Sequence, residues 1–184
     1  MAEPQAGYFT ARQAAAAGFT RALLAHHARS GQFQRVKHGI YRLARFPEMP
    51  HADLIVAHLE AGPQSVVSHQ SALALYDVSD ALPGAIHLTV PRTSSRRHPG
   101  VRLHTRRLAP DEVAQRSGLP VTTVPRTIAD LIAAHAPAEQ IRQVIHEAGQ
   151  RGLVTRHSLM TYAARRGGAI RQKIEEALGE QPAR

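Results

Sequence analysis

Twelve histidines in a chain of 184 residues raise the question of metal binding or proton transfer. Helical metal sites commonly offer histidines in pairs four residues apart, so that both rings leave one face. No two histidines of this sequence have that spacing. His26 and His27 are adjacent and point to different sides of a helix, and His135 and His146 fall in separate predicted helices. Few carboxylates accompany any of them, so the sequence predicts neither a metal site nor a cofactor.

Other catalytic patterns are equally thin. A magnesium-dependent nuclease needs clustered carboxylates. Asp111 and Glu112 stand side by side after Pro110, the arrangement of a helix N-terminus that favours negative charge. Asp130 sits in the helix after the Pro-Arg-Thr run, and Glu147 is isolated. Ser68, His69 and Ser71 lack the flanking glycines of a nucleophile elbow. Ser68 reads as a helix cap and His69 as a surface or interface residue. In the Val-Pro-Arg-Thr run, Arg126 is expected to fix a strand-to-helix corner, with Asp130 in reach one turn later. No catalytic residue is expected.

The chemistry the sequence does advertise is anion binding. It carries 23 Lys plus Arg against 14 Asp plus Glu, a formal charge of +9, and the only lysines are Lys37 and Lys173. Arginine suits bidentate contact with phosphates or guanine edges. Two clusters stand out. The first occupies a predicted helix and hairpin: Thr20, Arg21, Ala25, His26 and Arg29 fall on one side of the helix, away from Phe19, Leu23, Leu24, His27 and Ala28. Arg35, Lys37, His38 and Arg42 decorate the hairpin. The small residues let the helix approach a groove floor, the cations reach base edges, and the hairpin positions the backbone. The second cluster, Arg92, Arg96, Arg97, Arg102, Arg106 and Arg107, suits further DNA backbone contact or an acidic protein partner.

The elements behind the first cluster are legible. After a short leader over residues 1–6, Thr10 caps a helix over Ala11–Ala17, Gly18 breaks it, Thr20 caps a second over Arg21–Ser30, and Gly31 ends it. Strands over Gln32–Val36 and Ile40–Leu43 follow, joined through Gly39. Prolines at 47 and 50 place a boundary near residues 46–51. The expected class is α+β: a winged helix-turn-helix over 7–46, with the first helix of that motif apparently missing, then a mixed α/β domain over 52–179 ending in helices. Only about seven residues precede Tyr8, so support for the motif must come from an upstream start or from the second domain. There is no cysteine, no signal-peptide core and no apolar run of membrane-spanning length, which predicts a cytoplasmic protein with no membrane contact.

The run GYFTARQAAAAGFTRALLAHHARSGQFQRVKHGIYRL resembles the N-terminal winged helix of AbiEi-type antitoxins, the transcriptional regulators of type IV toxin–antitoxin systems. SHQSALALYDVSD, IHLTVPR and GLPVTTVPRTIADL look like that family's C-terminal portion, in the same order, so the resemblance spans roughly residues 7–155. It implies a repressor that binds double-stranded DNA at its own promoter and opposes a nucleotidyltransferase-like toxin. Two other functions stay open at this point: an interaction module acting through a partner without touching DNA, and a nuclease-like enzyme dependent on Asp130.

Overall fold

The computed structural model describes residues 2–78, 84–91 and 98–179. The chain is mixed α+β with two sheets. The first part runs β1 (Tyr8–Thr10), α1 (Ala11–Ala16), α2 (Arg21–Arg29), β2 (Phe33–Lys37) and β3 (Ile40–Leu43). Its antiparallel sheet has the order β1-β3-β2. Thr10 caps α1 in a reciprocal box: its Oγ1 accepts from Gln13 N at 3.1 Å while Gln13 Oε1 accepts from Thr10 N at 2.8 Å. Thr20 Oγ1 accepts from Leu23 N at 3.1 Å and starts α2. Gly39 takes φ of +73° in the tight turn between β2 and β3, where a side chain would be strained.

A small aromatic core holds this part together. Phe9 packs edge-on to Phe33, with ring centroids 5.0 Å apart, and stacks on Tyr41 at 5.8 Å; Ala14 and Leu24 complete the buried set. β1 leaves no mark in the sequence, because three residues are too short to show alternation. The leader expected over residues 1–6 carries structure: Glu3–Gln5 form a 3-10 turn and Gln5 donates to Tyr8 O at 3.0 Å.

The second part runs α3 (Ala52–Ala61), β4 (Val66–Val67), α4 (His69–Tyr76), β5 (Ile86–Val90), β6 (Val101–Thr105), β7 (Val113–Arg116), β8 (Leu119–Thr122), α5 (Val124–Ala133), α6 (Ala138–Gln150), α7 (Arg156–Arg166) and α8 (Gly168–Gly179). Its sheet order is β6-β5-β4-β8-β7, with β5–β6 and β4–β8 parallel and the remaining pairs antiparallel. β7 pairs with β8 through a turn at Ser117 and Gly118, both at positive φ. Asp111 and Glu112 close a 3-10 turn rather than opening an α-helix.

The two parts share a core. Tyr8 and Ile40 are buried in the same cluster as Leu54, Ile55, Leu88 and Val121. Helix α3 touches β1 and β3 on one side and β4 and β5 on the other. Helix α3 therefore supports the first sheet and ties it to the second part. His69, expected at the surface, is buried at 5% exposure, and Ser68 makes no side-chain capping bond; its Oγ lies 3.0 Å from His69 Nδ1 instead.

Candidate nucleic-acid interface

Helix α2 buries one narrow stripe. Leu24 is fully inside, while Phe19, His27 and Ala28 are half-buried beneath it. The His27 ring lies 5.0 Å from Phe33, and its Nδ1 is 2.6 Å from Gln32 Oε1, so this histidine belongs to the packing and not to the open face. Thr20, Arg21, Ala25, His26 and Arg29 are all exposed, as the helical periodicity predicts. Leu23, expected inside, is 39% exposed. Adjacent residues stand about 100° apart on a helix, and the stripe that α2 buries is narrow enough to take Leu24 and leave Leu23 outside.

The hairpin is less uniform than expected. Arg35, Lys37 and His38 are exposed. Arg35 Nη2 lies 3.1 Å from His38 Nδ1, which groups these two side chains near the turn. The register shifts between Arg35 and Lys37, and this irregularity leaves Val36 41% exposed. Lys37 Nζ pairs with Glu60 of α3 at 2.9 Å, so contact with a phosphate must compete with that carboxylate.

Arg42 is a correction. It was expected to hold DNA backbone, but it is buried: Nη2 donates to Phe46 O at 2.6 Å, Nη1 donates to Gln34 Oε1 at 3.3 Å, and the guanidinium lies 5.8 Å from the Tyr8 ring centroid. Its position on the central strand β3, facing away from the aromatic core, puts it under the chain that leads to α3. Arg42 locks the sheet to the residues after it.

In the second cationic cluster, Arg102, Arg106 and Arg107 are exposed on β6 and just after it. Arg92, Arg96 and Arg97 lie outside the described residues.

From Pro4 to Pro47 the sequence has no Asp or Glu, yet it carries Arg12, Arg21, Arg29, Arg35, Lys37, Arg42 and Arg45. These seven cations, with no anion among them, fall in a stretch folded as helix, helix and hairpin, and two of them, Lys37 and Arg42, are held by protein partners. Residues 2–44 match the family model described as transcriptional regulator, AbiEi antitoxin. The matched segment runs from the first 3-10 turn through β3, and the later blocks SHQSALALYDVSD and GLPVTTVPRTIADL lie beyond it. No curated protein matches the sequence significantly. Among solved structures, the crystal structure of the RV2827C protein from Mycobacterium tuberculosis is similar, with a TM-score of 0.53 over 95% of this chain and 73% of that one. At 15% identity that likeness is one of fold alone. No helix among the described residues is long and apolar enough to cross a membrane.

Away from the matched segment, Arg126 pairs with Asp130 as the sequence predicts and does more. Nε donates to Asp130 Oδ1 at 2.9 Å, and Nη1 donates to Glu112 Oε2 at 2.7 Å. Tyr162 of α7 donates to Glu112 Oε1 at 2.8 Å. This buried knot ties the 3-10 turn, α5 and α7 together. Asp130, committed to Arg126, has the partner of a structural carboxylate.

Proposed function

We propose that residues 7–46 form a winged helix-turn-helix, with α2 as the recognition helix and the β2–β3 hairpin as the wing. The chain is then a DNA-binding transcriptional repressor of the AbiEi type acting on its own promoter. The observation that carries this reading is the acid-free cationic stretch, whose side chains at Arg21, His26, Arg29, Arg35 and His38 are exposed on α2 and the hairpin. The family match to the same residues supports it. Arg21, near the N-terminus of α2, and His26 are placed to read base edges, while Arg29, Arg35, Lys37 and His38 hold phosphates. No bond-making step is involved.

The test is fluorescence anisotropy with duplex DNA from upstream of the protein's own reading frame, against a scrambled duplex of equal length. The upstream duplex should bind more tightly. Each phosphate neutralised should contribute about −0.9 to the slope of log affinity against log salt. Arg21→Ala should narrow the gap between the two duplexes, and Arg35→Ala should weaken both alike. Equal, salt-insensitive binding to both would overturn the proposal. The antitoxin half of the reading predicts that co-expression relieves the toxicity of a nucleotidyltransferase-like neighbour; unrelieved toxicity would leave only the regulator.

A further inference from the structure

We propose that His69, His87 and His104 form a binding site for one zinc-class transition-metal ion. The three rings come from different elements: His69 from the start of α4, His87 from β5 and His104 from β6. Each offers one ring nitrogen, and the three nitrogens lie within 4.8 Å of one another. His87 Nδ1 and His104 Nε2 are 3.0 Å apart. Around a tetrahedral zinc with Zn–N bonds of about 2.0–2.1 Å, neighbouring nitrogens stand roughly 3.3 Å apart, so that pair is already near its final spacing and His69 has a short distance to move.

The backbone holds this arrangement from three sides. Parallel pairing of β5 with β6 sets His87 beside Arg102 and Thr89 beside His104, and strand alternation puts all four on one face. His69 takes φ of +53°, uncommon for a residue with a side chain, as the chain turns from β4 into α4. Its ring stacks on His104 with centroids 3.6 Å apart and planes 15° apart, so it must turn out of that stack for both in-plane lone pairs to meet at one ion. Ser68 Oγ, 3.0 Å from His69 Nδ1, leaves Nε2 as the coordinating atom; fixing one ring nitrogen so that the other faces the metal is the usual role of an outer-shell partner. Thr89 Oγ1 is buried on this face without a hydrogen-bond partner, and suits a metal-bound water.

The electrostatics suit neutral imidazole ligands. Imidazole ligates through a neutral ring nitrogen, and the arginines around this cluster disfavour added charge on the rings. Arg102, Arg106 and Arg126 also oppose a bare dication. Their charge therefore selects an anionic fourth ligand, hydroxide or a small oxyanion, entering on the half-exposed His104 side.

Cobalt(II) titration of the full chain tests this, because tetrahedral Co(II) reports its own coordination in the visible spectrum. One equivalent should bind with that signature, zinc should displace it, and the melting temperature should rise with either metal. His104→Gln, checked for its fold by circular dichroism, should weaken binding by at least about tenfold. The double substitution His26→Gln with His27→Gln should not change it. Should His104→Gln fail to fold, long-range 1H–15N spectra of the wild-type chain give the answer: zinc should shift the ring nitrogens of His69, His87 and His104 together. No cobalt spectrum, binding unchanged in a folded His104→Gln chain, or shifts confined to exposed histidines would each overturn the site.

Discussion

Arg126 donates from Nη1 to Glu112 Oε2 at 2.7 Å, and both side chains are almost wholly buried, at 2% and 5% exposure. The contact joins the start of α5 to a 3-10 turn distant in sequence, and Tyr162 joins the same carboxylate from α7. Removing one partner of a buried ion pair leaves the other desolvated and uncompensated, at a cost of about 3–5 kcal/mol. Glu112→Gln keeps the shape and leaves Arg126 bonded to Asp130, so the loss should fall toward the lower end, about 3 kcal/mol. Urea denaturation measures it; a change inside the scatter of ordinary surface substitutions would show that the knot does not hold the helices.

The two carboxylates of this knot should titrate in opposite directions. Burial alone would raise both. At Glu112, the Ala109 N–H, the Tyr162 hydroxyl and the Arg126 and Arg166 charges outweigh burial and hold the acid below its ordinary range. Asp130 keeps one oxygen without a partner, and there burial prevails and raises it. A depressed acid contributes stability above its unfolded pKa and loses it as pH falls through the folded value. The stability gap between wild type and Glu112→Gln should therefore be flat above about pH 5 and shrink steadily below about pH 4. Taking the difference between the two chains cancels the titration of the histidines. A gap that widens on acidification would reverse the sign argued for Glu112.

Arg42 and Arg29 lie in the same acid-free stretch and should behave differently. Arg42 is spent on Phe46 O and Gln34. Arg42→Ala should lower stability by about 1–3 kcal/mol and leave the salt slope of DNA binding unchanged. Arg29 is exposed at the end of α2, so Arg29→Ala should change stability by no more than about 0.5 kcal/mol and reduce the salt slope by about one phosphate. Paired denaturation and anisotropy curves for the two variants separate the roles, and identical behaviour would contradict the placement of Arg42.

What was legible in the sequence follows from what is local. Caps at Thr10 and Thr20, the glycine turn at Gly39 and the periodicity of α2 are written within a few residues, and those elements appear where expected. So is the Arg126–Asp130 pair, one turn apart. Strands β1 and β7 were missed because each is defined by its partner: Tyr8–Thr10 is a strand only because Ile40–Arg42 lies beside it. Arg42 looked like another surface cation because its partners, Phe46 and Gln34, are set by sheet register and chain reversal. His69, His87 and His104 meet only through sheet pairing, so a search for histidines at helical spacing could not find them.

Gly7 offers the sharpest test of how the first sheet is closed. It has φ of +81°, donates to Ala2 O at 2.9 Å and accepts from Leu43 N at 2.9 Å. A Cβ there would stand 2.5 Å from Phe46 Cγ and 2.6 Å from Phe46 Cβ, too close for any rotation of the ring to relieve. Gly7→Ala therefore meets two penalties, about 1–2 kcal/mol for the left-handed backbone and a further term for displacing Phe46. Because Phe46 O also receives Arg42, the displacement should reach β3. Phe46→Gly in the Gly7→Ala background removes both colliding carbons but not the backbone term at residue 7, so the double variant should be more stable than the sum of the single losses, with a coupling of roughly 0.5–3 kcal/mol. Thermal melts of the four chains give that coupling. Strict additivity would mean that residue 7 and Phe46 do not contend for the same space.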